Sequence, residues 1–262
     1  MKARADKAMV DRGLVESRQK AQALIMAGRV FSCGERIEKP GQIVNREQEI
    51  LIKEKMPFVS RGGLKLSEAL DKLGISAGGK TAADLGSSTG GFTDCLLQKG
   101  ARKVYAVDVD IRQLDWRLRE DPRVVLIEKN ARYLDRDDIT EPLDIITADL
   151  SFISVLKILP AVKNVIGSGF LVALIKPQFE AGKGQVGKKG VVRDRSLHER
   201  VLVKTIEEAQ NLGFNAIGLT RSPIRGQKGN REFFLLWSTK RPALMPVRMK
   251  TLIKEAVWNE QD

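Results

Sequence analysis

Residues 81–94, TAADLGSSTGGFTD, constrain this chain more than any other stretch. Ala82, Ala83 and Leu85 form a short apolar run of the kind a buried strand uses. The backbone must then turn at once, through Gly86, Ser87, Ser88, Thr89, Gly90 and Gly91. From Phe92 an amphipathic run (Phe92, Cys95, Leu96, Leu97) has helical spacing. A strand, a glycine turn and a helix N-terminus in succession bring backbone close to a ligand. The spacing is GxxxGG, not the GxGxxG of dinucleotide folds, and no Lys-Ser/Thr pair follows as in a phosphate-gripping loop. Asp84, just before the turn, repels a pyrophosphate and suits a ligand carrying an ammonium or a sulfonium. That combination points to S-adenosylmethionine rather than NAD or ATP. The plainer alternative is an ordinary strand-to-helix turn.

From residue 81 onward, strand and helix patterns alternate. Strands are predicted at 81–86, 103–109, 124–129, 143–149, 169–176, 214–220 and 232–238. Helix-length segments at 90–99, 111–119, 153–165 and 196–212 lie between most of them. Such alternation builds an α/β fold, a mostly parallel sheet with helices on both faces. The last two strands, joined by 222–231, fit an antiparallel pair. Active sites in such sheets lie beyond the carboxyl ends of the strands. A length of 262 residues allows one or two domains, and 42% hydrophobic residues suffice for a proper core. Ahead of the sheet, Leu64, Leu66, Ala69, Leu70 and Leu73 line one helix face, which Gly74 closes. This places Lys65 in the first helical turn, where a lysine opposes the helix dipole. Such a position marks it as a candidate for use.

The first 61 residues carry 13 Lys/Arg against 8 Asp/Glu, a denser positive excess than in the rest of the chain. The whole has a net charge of +12, a balance that suits nucleic acid or an acidic membrane surface. Two short helices carry Arg4, Lys7, Arg12, Arg18 and Lys20. Ser17 is a candidate N-cap for the second, which stops at Gly28. A hairpin over 29–37 turns at Gly34, Pro40-Gly41 marks another turn, and 50–52 is a short strand. The run Ser17-Arg18-Gln19-Lys20-Ala21-Gln22-Ala23-Leu24-Ile25, with Gly28-Arg29-Val30 and Gly34, resembles the small RNA-binding domain of ribosomal protein S-four. The resemblance sets a domain at 1–55 and implies RNA contacts by the five cations above, by Arg29, and by Arg61 in the junction. Pro57 and Gly62-Gly63 punctuate a linker at 56–63, with the larger domain at 64–262. A solvated basic helix pair with no partner is the alternative.

Polar residues at the strand ends carry the chemistry. Asp108 ends the second strand, 24 residues after Asp84, close to where an acidic group meets a ribose diol. Asn130 follows the third strand and suits an adenine edge. Asp149 closes the fourth and Lys176 the fifth. A lysine at the end of a buried apolar strand is costly unless its charge is used. Glu232 opens the last strand. The order Lys65, Asp149, Lys176, Glu232 resembles the Lys-Asp-Lys-Glu set of the FtsJ-type ribose 2′-O-methyltransferases. Adding the N-terminal module and the junction FVSRGGLKL at 58–66, the chain is similar to the TlyA/hemolysin A family over nearly all its length.

That resemblance implies a Rossmann-like class I methyltransferase sheet of seven strands with S-adenosylmethionine as cofactor. The cofactor site carries over onto Asp84, the turn from Gly86 to Phe92, Asp108, Val109, Asn130, Ala131 and Asp149. The implied partner is ribosomal RNA or a ribosomal subunit, methylated on a cytidine 2′-hydroxyl. Lys176 is then the base, Asp149 orients it, and Lys65 and Glu232 position the hydroxyl. An unperturbed lysine, with a pKa near ~10.4, is a poor base. A neighbouring ammonium or sulfonium lowers such a value.

The segment 179–195 contains two decoys. Residues 182–187 fit GxGxxG and 182–188 fit GxxxxGK, but Lys189 follows Lys188 and Gly190-Val191-Val192 starts no helix. A mobile basic loop is expected instead, with Lys183, Lys188, Lys189, Arg193 and Arg195 on RNA phosphates; a plain surface loop is the alternative. Such contacts give affinity and salt dependence, not sequence choice. His198 is expected at the surface or in a helix's first turn, and Cys95 on a core face. Cys33 and Cys95 have no metal-ligand spacing, so no metal is expected and a reducing compartment fits. Three Trp and few other aromatics offer no stacking platform. Without a signal layout or the ~20 apolar residues of a membrane helix, the expectation is a cytoplasmic protein not stably inserted in membrane. Its oligomeric state stays open between monomer and weak dimer. The competing functions are a non-catalytic RNA-binding assembly factor, a pore-forming hemolysin and a base methylase.

Overall fold

The computed structural model describes residues 2–45, 47–52, 56–182, 184–187, 190–226 and 228–259. Lys183, Lys188 and Lys189 lie outside the described residues. The chain divides into two compact units, Met1–Met56 and Pro57–Asp262.

The first unit holds β1 (Lys2–Arg4), α1 (Ala5–Asp11), α2 (Arg18–Met26), β2 (Val30–Ser32), β3 (Glu35–Arg36), β4 (Ile43–Asn45) and β5 (Ile50–Ile52). Ser17 Oγ accepts the Lys20 N–H and caps α2. β2 pairs with β3 and β5, and β1 pairs with β4, all antiparallel. Cys33 and Gly34 both take positive φ in the β2–β3 turn, the geometry a two-residue hairpin needs. Ala5, Ala8 and Met9 of α1 pack with Ala21 and Ile25 of α2 and with Val30, Ile37, Val44 and Ile50.

The second unit runs α3 (Arg61–Leu73), β6 (Thr81–Leu85), α4 (Gly91–Gln98), β7 (Lys103–Asp108), α5 (Trp116–Arg119), β8 (Val124–Glu128), β9 (Ile145–Ala148), α6 (Leu159–Val165), β10 (Phe170–Ile175), α7 (Pro177–Glu180), α8 (Arg195–Asn211), β11 (Asn215–Arg221), β12 (Phe233–Ser238) and α9 (Pro246–Trp258). The strand order is β11-β12-β10-β9-β6-β7-β8. β12 lies antiparallel to both β10 and β11, while β8, β7, β6, β9 and β10 are mutually parallel. This is the Rossmann-like sheet, and its order reverses at β6. Ligands of such sheets sit outside the carboxyl ends at that switch point.

Period-two alternation sorts side chains between two cores. Ala83, Leu85, Ile146, Ala148, Leu171, Ala173, Ile175, Phe233 and Trp237 face the helices α6, α8 and α9. Ala82, Ile145, Val172, Leu174, Phe234 and Leu236 face α3 and α4. Because both faces are covered, β10 reads FLVALI, apolar throughout.

Four segments depart from the pattern-based expectation. α3 begins at Arg61, not at 64, because Ser60 Oγ accepts the Gly62 N–H as an N-cap. Residues 61–63 are therefore helix rather than linker. Lys65 lies in the second turn, beyond the reach of the end-dipole argument. The segment 111–119 is a 3₁₀ turn at Ile111–Gln113 followed by α5, with extended Leu114 between. α6 starts late, where Pro160 fits a first turn that needs no N–H. α9 had no counterpart among the predicted helices. No helix among the described residues is long and apolar enough to cross a membrane.

Candidate active site

Strand alternation brings three of the four candidate residues to one face. Extending the α3-facing rows one position past the strand ends gives Asp149 after Ile145 and Thr147, and Lys176 after Val172 and Leu174. It gives Glu232 before Phe234 and Leu236. Ile175 pairs with Phe233, which sets the backbones of Lys176 and Glu232 side by side. α3 lies over this face and supplies Lys65, whose Nζ donates to Glu232 Oε2 at 2.6 Å. Both side chains are nearly dry, 10% and 3% exposed. Lys176 Nζ lies 2.6 Å from Asp149 Oδ1 and donates to Ser151 Oγ at 3.0 Å. The Asp149 contact is a charge contact, off the hydrogen-bond direction. The four groups thus stand as two ion pairs, Lys65–Glu232 and Lys176–Asp149. Ser151 is a second anchor for Lys176.

The glycine turn closes against Asp149. Gly86 has φ +80°, and a Cβ there would sit 2.7 Å from the Asp149 carbonyl oxygen. Only glycine fits that approach without strain. The N–H groups of Gly86 and Ser87 both donate to Val107 O, and Ser87 Oγ is buried with no partner. Asp108 Oδ2 accepts the Ser88 N–H at 2.8 Å, which ties the end of β7 to the turn. Val109 beside it is exposed, an apolar surface at the strand end. Asn130 Oδ1 accepts the Arg132 N–H, and Ala131 is buried behind it.

Two cofactor candidates sit elsewhere than expected. Asp84 shares the α4-facing row with Ala82, one position short of the strand end, and is fully buried. Its carboxylate accepts from Thr93 Oγ1 at 2.7 Å and Thr147 Oγ1 at 3.1 Å. Burial pushes its carboxyl up to about 7, against the pull of those two hydroxyls. Asp84 therefore braces β6, β9 and α4 rather than presenting an anion to a ligand. The Phe92 ring is also core, 6.0 Å from Phe234, so only its backbone can meet a ligand.

An aromatic pair with one exposed and one half-buried ring departs from the expectation that no stacking platform exists. Phe152 is 91% exposed and holds φ +65°, three residues beyond Asp149. Its ring lies 5.2 Å from Phe179, whose own ring sits 5.8 Å from Lys176 Nζ. Glu180 accepts from Ser154 Oγ and the Val155 N–H, tying α7 to the segment after Phe152. His198 lies in the first turn of α8, one of the two expected placements, and is buried there, with Nε2 3.1 Å from Val192 O; burial lowers its basicity. Cys95 is buried as expected, and burial pushes its thiol up to about 12. Among the described residues no His, Cys, Asp and Glu group could hold a metal ion.

Residues 58–239 match the family of FtsJ-like methyltransferases, and residues 3–50 match the S4 domain. The chain belongs to the FtsJ-like methyltransferases. Similarity to individual proteins extends over both units of this methyltransferase. It is 44% identical over 243 residues, 91% of each chain, to the 16S/23S rRNA (cytidine-2′-O)-methyltransferase TlyA of Mycobacterium tuberculosis. It is 48% identical over 238 residues, 89% of this chain and 85% of the other, to YqxC of Bacillus subtilis, provisionally named an rRNA methyltransferase. A solved Streptococcus thermophilus structure, provisionally named a hemolysin, superposes with a TM-score of 0.74 at 44% identity, covering 97% of this chain and 95% of that one.

The cations of the methyltransferase's S4 domain divide into two kinds. Arg4 and Arg18 both donate to Asp6, which is fully buried and also takes a bond from Gln22. The Arg4 guanidinium holds the Asp6 carboxyl well below the usual carboxylate range. Arg12 donates to the carbonyls of Gln48 and Asn45. These three arginines tie the domain together, and Arg4 and Arg18 keep 49% and 55% of their side-chain surface exposed. Lys7 and Lys20 are exposed, Arg29 is half-buried, and Arg61 and Arg193 of the larger unit are exposed.

Proposed function

We propose that the protein transfers a methyl group from S-adenosylmethionine to a ribose 2′-hydroxyl of ribosomal RNA, with cytidine as the target nucleoside. The observation that carries this reading is the pair of ion pairs, Lys65–Glu232 and Lys176–Asp149, on one sheet face beside the glycine turn. The name of the M. tuberculosis relative supports the choice of RNA, ribose and cytidine. The residues present suit the cofactor. Gly86 admits a close approach, Ser87 Oγ lacks a partner, and Asp108 and Val109 offer a diol acceptor beside an apolar surface. Bound there, the cofactor supplies an electrophilic methyl group on a positively charged sulfur.

The chain's own residues handle the proton and the orientation. A ribose hydroxyl is a poor nucleophile until its proton leaves. Lys176 Nζ, once the proton of the ion pair has left it, takes the hydroxyl proton. Asp149 at 2.6 Å then stabilises the ammonium, while Ser151 Oγ keeps Nζ aimed. Glu232, held by Lys65, positions the hydroxyl in a site that is almost dry, where such contacts count for more than in water. The Phe152–Phe179 pair gives a base a face on which to stack, as single-stranded RNA recognition requires. The test uses ribosomal subunits lacking the modification, purified protein and labelled cofactor. Label on a cytidine ribose is the expected result; label on a base, or none with cofactor bound, refutes the reading.

A further inference from the structure

We infer that a second anion site, lined by Arg193, Arg195, Arg225, Lys228 and Arg231, holds RNA backbone phosphates next to the nucleotide being modified. This rests on the function proposed above and adds the surface that would fix the strand. The five cations line one open cavity of about 430 Å³, walled by the segment before α8 and the segment between β11 and β12. No carboxylate lines it among the described residues. A cavity lined by several cations focuses positive potential and suits a polyanion.

The cavity is built rather than incidental. Asn230 is buried, accepts the Val192 N–H and donates to Gly190 O, both at 2.9 Å, and so clamps one wall to the other. Arg231 donates to Val257 O and Arg195 to Trp258 O, so the end of α9 aims two of the guanidinium groups. Arg193 and Lys228 are exposed and form no ion pair among the described residues. The site also connects to the chemistry. A neighbouring cavity shares Arg225 and Arg231 and is lined by Glu232. Gly226, in the same segment, packs so closely that a Cβ would run into Glu232 Oε1. A phosphate held at this loop is therefore held in register with Glu232. The chemistry fits a phosphodiester chain: several positive groups around one cavity, next to a cavity lined by Glu232.

The test compares the full-length wild type with the double variant Arg193→Ala/Lys228→Ala. The readouts are the salt dependence of binding to an oligoribonucleotide from the methylated region and calorimetric cofactor affinity. Two lost single-strand phosphate contacts should flatten the slope of log K against log salt by about 1.4. The KM for RNA should rise about tenfold, and cofactor affinity should stay within twofold. The control Arg248→Ala/Lys250→Ala removes the same charge from exposed positions on α9 and should move the slope by less than half as much. An unchanged slope in the groove variant, or an equal change in the control, overturns the site. Loss of binding to anionic phospholipid vesicles, with RNA binding intact, would assign the groove to a membrane and also overturn it. A wild type that binds cofactor but methylates no RNA refutes the underlying function instead.

Discussion

Lys65 and Glu232 form the drier of the two ion pairs, and removing one partner strands the other's charge in the protein. Lys65→Met should cost about 3–5 kcal/mol in urea unfolding, the usual penalty for an orphaned buried charge. Lys65→Met/Glu232→Leu should recover most of that stability but no activity. Asp149 has water access, so Lys176→Ala should fold nearly as well as wild type. Methyl transfer should still fall about 10²–10⁴-fold, the range for a lost general base, with cofactor affinity within twofold. Asp84 gives a pH test. Its carboxyl titrates near about 7 in the folded chain against an ordinary 3.8, so the folded state holds the proton across that window. Asp84 therefore contributes most stability below about pH 4, and the contribution is lost as pH rises through 7. Thermal melts of Asp84→Asn should show a flatter pH profile between pH 4 and 8. An unchanged profile would place the titration elsewhere.

Elements explain which parts were legible in the sequence. The parallel strands were, because doubly covered strands read as apolar runs and the helices between them keep a separate period. So was the convergence at the strand ends, since Asp149, Lys176 and Glu232 each stand one position beyond a strand. Local capping hid the rest. Ser60 starts α3 early, and Asp110 and Asp115 break one predicted helix into two turns. α9 carries Met249, Ile253, Ala256 and Val257 at helical spacing behind Pro246, a signal that the sequence itself contains. The row assignment of Asp84 needs the register with Thr147, which no single strand reveals. The exposure of Phe152 rests on a positive φ that sequence does not specify. Phe152→Ala should raise the KM for RNA severalfold and leave cofactor affinity unchanged, measured by steady-state kinetics and calorimetry. Gly86→Ala, by contrast, should lose cofactor affinity, because its Cβ meets the Asp149 carbonyl.

At the scale of the whole molecule, a net charge of +12 joins a small S4 domain to a methyltransferase sheet. Part of that charge also serves the S4 domain's own fold, through Arg4, Arg12 and Arg18. Other cations, among them Lys7, Lys20, Arg61, Arg193 and Lys228, are exposed and open to a polyanion. RNA affinity should therefore fall steeply as salt rises, with a slope that counts phosphate contacts. The most direct measurement of the central claim is mass-spectrometric mapping of the methyl group on RNA treated with wild type and with Lys176→Ala. The account predicts a wild-type methyl on ribose oxygen at a defined cytidine and its absence with the folded, cofactor-binding variant. Full methylation by that variant, or a methyl group on the base, would contradict it.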